Sequence, residues 1–500
     1  MGNILGDILV STGRRRHGPA AMSEQRHIGD EWAAAGSRAV GQRGIDMVDA
    51  NLCKQAVRTD NRDRGNAYYK SYGDFVQVGE EDVFSTQVKI EVERSKTKSN
   101  YVHLRFGYFN RYWRRKEDND KYIVGRSDQP EEDETNPSCT LFEPVMVDEK
   151  NSVFYLRHVQ SGGRVSVDGS TNSLYVDDDD VDKDENYLTF VDWNTLVKLP
   201  ANNVAFKANN GKYLRAPGAV MAFSSDDPNE ILSSFRVEQK PDGHVEILQP
   251  SYPGMQWRVI DFNAWVLLDN QWNQFWPVKV DENSIALRSS YSNNFCFINS
   301  GDGFTDSLQA SAATITKEAI LQVQESVLER KIYNVMYQME YARIFDEVPY
   351  LAGSATLVND KDEEASMEVS VTYQDEKSYS FTRSLSLTAG VSASMQAGLP
   401  FIEQATITVS YEINGTFQWD TTTTNTTSVT ATGTVTVPGK STVTVDYVGT
   451  RGTCSVPYYY TQEDKSSLDG QTVYTDLVDG IYTGVNYYNF NFHVRDTTPL

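Results

Sequence analysis

The chain has 500 residues, 39% hydrophobic and 23% charged, with a formal net charge of -23. That length suggests about three domains, and the acidic balance excludes a general nucleic-acid binder because phosphate would be repelled outside any local basic patch. Cys53, Cys139, Cys296 and Cys454 lie far apart with no CxxC pair, so neither a zinc site nor a dense disulfide framework is expected, and free thiols in a reducing compartment are the simpler account.

The first residues place a short apolar patch before Arg14, Arg15 and Arg16, the reverse of a secretory signal, so no signal peptide is expected. Gly2 is followed by Gly6 where a myristoylation signal asks for Ser or Thr. No stretch approaches the roughly 18 apolar residues of a spanning helix, so entry into a membrane would require strands. Abundant Gly, Asn, Ser and Thr and short alternating segments favour a mainly β protein with little helix. Residues 1–65 lack sustained periodicity and read as a poorly ordered leader.

A phrase then recurs about every 40 to 50 residues: two apolar residues flanking any third, usually a basic residue, and a turn. It occurs at Val102-His103-Leu104-Arg105 before Asn110, and at Phe154-Tyr155-Leu156-Arg157 before Gly162. Further copies start at Val204, Val245 and Ile285, with turns at Gly211, Gly254 and Asn293. Such two-strand units cannot bury their apolar side alone, and threes close a compact barrel. The last three copies make one such domain. The first two need a third, expected in degraded form between Tyr68 and Val92.

The segments CTLFEPVMVDE (139–149), FVDWNTLVKLP (190–200) and FKANNGKYL (206–214) resemble those of amaranthin-type plant agglutinins, over roughly residues 66 to 318. The resemblance implies tandem β-trefoils at 66–199 and 200–318 with short helical linkers, one of them a connector at 319–340 within the charged Thr316 to Glu340 stretch. It also implies a shallow site for a galactose- or N-acetylgalactosamine-type glycan near a subunit interface. The matching stretch runs from Asp118 to Ile123. It offers Asn119 and Lys121 to sugar hydroxyls and Tyr122 for stacking, with Lys121 standing where the family has an aromatic residue. The equivalent stretch of the second domain is Asn263-Ala264-Trp265, where Trp265 could serve a sugar or simply pack.

From Arg383 the alternation is strict: Leu385, Leu387, Ala389, Val391, Ala393, Met395 and Ala397 share one face, and uncharged polar residues share the other. The return arm carries Ala405, Ile407, Val409, Tyr411 and Ile413 on its apolar face. The expected turn is an apolar tip around Pro400 and Phe401. No charged residue occurs between Arg383 and Glu403, whereas a solvent-facing strand in so acidic a chain would ordinarily carry Lys or Glu. Both arms reach the roughly 9 to 11 residues of a transmembrane strand. Hydrocarbon cannot satisfy an open sheet edge, so several subunits would have to close a ring. Long Thr-rich strands bracket the hairpin, and roughly residues 330–495 resemble the elongated aerolysin-type β-pore-forming module, which implies a pore-forming domain at 341–500.

No GxSxG, HExxH or phosphate-loop pattern is present, and Asp177 to Asp184 departs from the calcium-loop pattern. The sequence therefore reads as a non-enzyme without cofactor or metal, cytoplasmic or nucleocytoplasmic as a precursor. Its partners would be cell-surface glycans, a target membrane and copies of itself, in plant defence. The alternative is an agglutinin whose C-terminal part only mediates oligomerisation.

Overall fold

A computed structural model of the chain describes residues 8–9, 53–59, 66–69, 73–117, 120–148, 153–178, 187–192, 196–383 and 392–500. The protein is mainly β, with short 3-10 turns and no α-helix among the described residues. It divides into two units, the first built on residues up to 329 and the second on residues 330–383, 392–463 and 474–500.

The first unit contains two closed rings of six strands. In one, Cys53–Thr59, Ile90–Arg94, Val102–Phe106, Leu141–Asp148, Val153–His158 and Leu188–Asp192 pair in turn until the last returns to the first. Three hairpins fill the intervals between ring strands, including Arg111–Glu117 with Asp120–Ser127. The second ring is built the same way from Val204–Lys207, Arg236–Gln239, Val245–Leu248, Phe275–Lys279, Ser284–Ser289 and Leu321–Glu325, closed by a Val204 to Phe235 bridge. Its core centres on Trp257, whose ring lies 5.4 Å from Phe206, 5.4 Å from Phe235 and 5.9 Å from Phe275.

The five recurring phrases each occupy a ring strand. Their turns sit where the backbone must take positive φ, at Asn110 (53°), Gly211 (80°) and Asn293 (58°), which Gly and Asn tolerate best. The missing sixth copy is Cys53–Thr59, not a strand between Tyr68 and Val92, and it lies inside the expected leader. Lys54, Gln55 and Arg58 interrupt its apolar pattern, which hid it.

The expected helical linker does not form. Leu321–Glu325 completes the second ring and Val327–Tyr337 is also a strand. Leu321 and Val323 are buried two residues apart, a strand period, and Gln322 between them is exposed.

The second unit is an eight-stranded sheet. Its strands are β1 (Val327–Tyr337), β2 (Arg343–Asn359), β3 (Ala365–Thr382), β4 (Ala393–Glu403), β5 (Thr406–Phe417), β6 (Thr423–Val437), β7 (Ser441–Ser466) and β8 (Thr472–Pro499). The order is β5-β4-β1-β7-β8-β3-β6, with β2 on β7. β3 and β6, which flank the hairpin β4–β5 in sequence, pair antiparallel from Ala365↔Val437 to Tyr379↔Thr423. Along β3, even-numbered residues from Ser366 to Glu376 are exposed, while odd-numbered ones are buried or half-buried.

Candidate functional site

The expected hairpin exists as β4–β5, paired antiparallel with a parallel contact from β4 to β1 at Arg330 to Ile332. Its apolar face is folded inward. Ala393, Met395 (2% exposed), Ala397, Leu399 and Ile402 are buried in a core with Ile332, Phe381, Cys454, Val456, Tyr458 and Tyr482, and Ile407 and Ile413 pack against it. Burial of Met395, Leu399 and Ile402 stabilises this position by about 2 kcal/mol each. Burial also pushes the Cys454 thiol up to about 12. Val409 shares the apolar face by number yet is 46% exposed.

The turn is displaced from its expected place. Pro400 and Phe401 lie within β4, and the chain reverses at Gln404 and Ala405, both at positive φ (48° and 64°). A register shift between Gly398 and Pro400 lets β4 continue past the proline, which can sit at such an irregularity because it has no N–H to offer the ladder. Leu385, Leu387 and Val391 lie outside the described residues.

Three side chains of the sheet hold the backbone around this irregularity. The Tyr337 hydroxyl donates to the Gly398 carbonyl (2.5 Å) and the Tyr482 hydroxyl to the Pro400 carbonyl (2.7 Å). Asn486, 3% exposed, accepts from the Ile402 N–H (2.9 Å) and donates to the Ile402 carbonyl (2.8 Å). These groups satisfy backbone that the neighbouring strands leave unpaired, as buried polar groups require. At the hairpin's base, the Arg383 guanidinium lies 4.8 Å from the centre of the Trp419 ring, and the Asp420 N–H donates to the Phe381 carbonyl (3.0 Å). Sequence reasoning missed all of these residues, because side-chain to backbone pairing leaves no periodic trace.

In the first ring domain, Lys121 is exposed and Tyr122 half-buried on Asp120–Ser127. The Lys121 ammonium sits over the Tyr175 ring at 4.2 Å and within 5.5 Å of Tyr122, whose hydroxyl donates to Asp168 Oδ2 at 2.8 Å. That bond raises the Tyr122 pKa, and the Asp168 carboxylate is held well below its usual range, first by Ser170 and then by Tyr122. Tyr122 and Tyr175 are cross-strand partners, so the patch combines a cation, a carboxylate and two aromatic rings. Asn119 lies outside the described residues, as do 179–184 of the acidic run.

In the second ring domain, Asn263 and Ala264 form a turn at positive φ, and Asn263 Nδ2 donates to Asp302 Oδ2 at 2.8 Å. Trp265 is 1% exposed: its indole N–H also reaches Asp302 Oδ2 (3.1 Å), and its ring stacks on Phe304 at 4.6 Å. Its faces are committed to packing and cannot stack on a sugar. The open aromatic surface beside it is Phe262, 56% exposed, with Tyr291, whose hydroxyl bonds Asp261.

Two strand rings followed by a long-stranded sheet with a tucked amphipathic hairpin define a modular, mainly β protein. Residues 60–186 match the family described as Agglutinin domain, and residues 322–494 match Clostridium epsilon toxin ETX/Bacillus mosquitocidal toxin MTX2. The chain thus carries an agglutinin domain and an aerolysin-like toxin domain. No curated protein matches it. Among solved structures, it is similar to a lamprey immune protein (15% identity, 51% of this chain and 87% of that one, TM-score 0.31). Others are parasporin-2 of Bacillus thuringiensis (15%, 34% and 74%, TM-score 0.22) and an aerolysin-like protein of Bombina maxima (12%, 34% and 99%, TM-score 0.24).

Proposed function

We propose that this chain docks on cell-surface glycans through two β-trefoil domains, gathers into a ring, and inserts the β4–β5 hairpin as part of a transmembrane β-barrel, in plant defence, from a cytoplasmic precursor. The six-strand rings with three intervening hairpins support the trefoil reading. Weak sites around Lys121 and Tyr122, with a second near Asn263, would gain avidity once several copies meet one surface. A galactose- or N-acetylgalactosamine-type glycan is the proposed ligand.

The observation that carries the pore reading is the register of β3 with β6. Continued beyond Tyr379↔Thr423, it sets Phe381 opposite Thr421 and Arg383 opposite Trp419, a pair already in contact. Further on it sets Met395 opposite Ile407, Ala397 opposite Ala405 and Leu399 opposite Glu403. The turn then falls at Pro400, Phe401 and Ile402, the apolar tip expected from the sequence.

In the folded chain Ala397 instead faces Ile413, so refolding slides β5 along β4 by eight residues, from Ile413 to Ala405 as partner. An even slide keeps the side chains from Ala393 to Gly398, and those of β5, on their own faces. The uncharged apolar face from Leu385 to Leu399 would extend about 50 Å along the strand, which with a barrel tilt of about 40° spans the roughly 30 Å hydrocarbon core.

The test is dye release from phosphatidylcholine vesicles carrying galactose-terminated glycolipid. The substitution is Val409→Asp, chosen because Val409 is exposed in the folded chain yet falls on the lipid side of the barrel. Release by the native chain, with Val409→Asp still folding and binding vesicles but losing most of its release, is the expected result. Vesicle binding without release by the native chain would leave an agglutinin whose third domain has another task.

A further inference from the structure

We infer that the pore is selective for cations, an inference that rests on the barrel reading above. Between Ala365 and Val437 the only basic residues are Lys377 and Arg383. Both lie on the odd-numbered face, against the rings of Phe401 (5.6 Å) and Trp419 (4.8 Å). The even-numbered face, which the barrel turns toward water, carries Glu368, Glu376, Glu412 and Asp420, all exposed, and otherwise neutral residues.

The structure fixes part of this face directly. Glu368 stands opposite Thr434 and Glu376 opposite Thr426, and Thr372 and Thr430 on the same face share a 2.9 Å hydrogen bond. No lysine or arginine is interleaved to neutralise these carboxylates. In the continued register Glu412 shares their face and lies deepest, eleven residues from Phe401, while Glu376 and Glu368 lie farther up the stem.

Ring assembly repeats each carboxylate once per subunit. A circle of like charges in a narrow water column with low-dielectric walls focuses the field, gathers cations and repels anions. The odd-numbered face does not share this bias, because Asp375 and Glu403 there accompany Lys377 and Arg383. Selectivity is thus assigned to one face of the hairpin and chiefly to Glu412, the charge of that face that falls within the membrane-spanning stretch.

The experiment is a planar phosphatidylcholine bilayer with galactose-terminated glycolipid, a KCl gradient and the full chain. Open channels are expected to show a reversal potential of the sign set by K⁺. Glu412→Gln should lower the K⁺ to Cl⁻ permeability ratio by roughly twofold or more. Glu403→Gln, on the opposite face, should leave the ratio unchanged. Channels that reverse near zero or toward Cl⁻ would overturn the cation assignment and leave the pore standing. An equal loss in both variants would overturn the assignment to the even-numbered face, and absence of conductance would overturn the barrel reading and this inference with it.

Discussion

Asn486 occupies the place of a neighbouring strand for a single residue: its amide side chain pairs with both the N–H and the carbonyl of Ile402. Asn486→Ala leaves two buried backbone groups without partners, at a cost of about 2 to 3 kcal/mol. The expected outcome is a shorter lag before vesicle dye release, with glycan binding unchanged. Tyr482→Phe removes one bond, to Pro400, and is expected to give a smaller effect in the same direction, about 1 kcal/mol. A lag unchanged in both variants would show that these bonds do not restrain the hairpin. The tryptophan of the second ring domain supplies the contrasting case. Trp265→Ala empties a packed, hydrogen-bonded site and should lower stability by about 3 to 5 kcal/mol, whereas Phe262→Ala should leave the thermal midpoint nearly unchanged and weaken any glycan binding at that loop. Thermal unfolding and glycan titration of both variants separate the two roles. Sequence alone could not divide Phe262 from Trp265, because three-residue spacing across a turn does not say which ring the chain folds over.

Among elements, the hairpin was legible in the sequence because one periodicity runs through both arms, and its face assignment agrees with the burial of Ala393, Met395 and Ala397. Its turn was not legible. Reversal at Gln404–Ala405 matches the apolar faces of the two arms only through the register shift between Gly398 and Pro400, and a strictly alternating pattern does not display such a shift. The positive-φ turn and the bonds to Gly398, Pro400 and Ile402 favour this reversal in the folded chain. The stretch after Thr316 was misread because charged residues dominate it, while the two apolar positions that matter, Leu321 and Val323, are spaced for a strand. The docked hairpin also offers a direct control: Lys331 and Ser394 are partners across β1 and β4, so Lys331→Cys with Ser394→Cys places two thiols on facing strands. Oxidised, this variant is expected to bind vesicles without releasing dye, and reductant is expected to restore release. Release by the oxidised, cross-linked form would show that β4 need not leave β1.

For the molecule as a whole, five of the six repeat copies were legible, and the sixth was hidden by the polar residues of Cys53–Thr59. The ring domains also carry a pH dependence that the sequence does not display. His158 is buried against Ser161 and the Cys139 carbonyl, and desolvation holds its pKa down to about 4. Its unfolded value is near 6.5, so the unfolded chain takes up the proton first. Stability is then full above about 6.5 and falls by about 3 kcal/mol as pH drops toward 4. Burial pushes the Glu132 pKa up, but hydrogen bonds from the Lys96 N–H, Thr97, His103 and Ser95 outweigh it and hold the pKa at about 2. Its contribution is present above about 4.5 and lost as pH falls toward 2. Denaturant titrations of the chain across this range should show two successive losses on acidification, and a midpoint independent of pH above about 4.5 would rule out the first of them. The contact between Arg383 and Trp419 has a further consequence, for timing. Joining two distant stretches of chain is ordinarily the slow, entropically costly part of making a long hairpin, and here that closure is complete before any membrane is met. Each new rung forms beside the last in a zipper that needs about microseconds, so the waiting time before a vesicle leaks should be set by release of the docked hairpin and by how often subunits encounter one another, and should shorten as protein concentration rises.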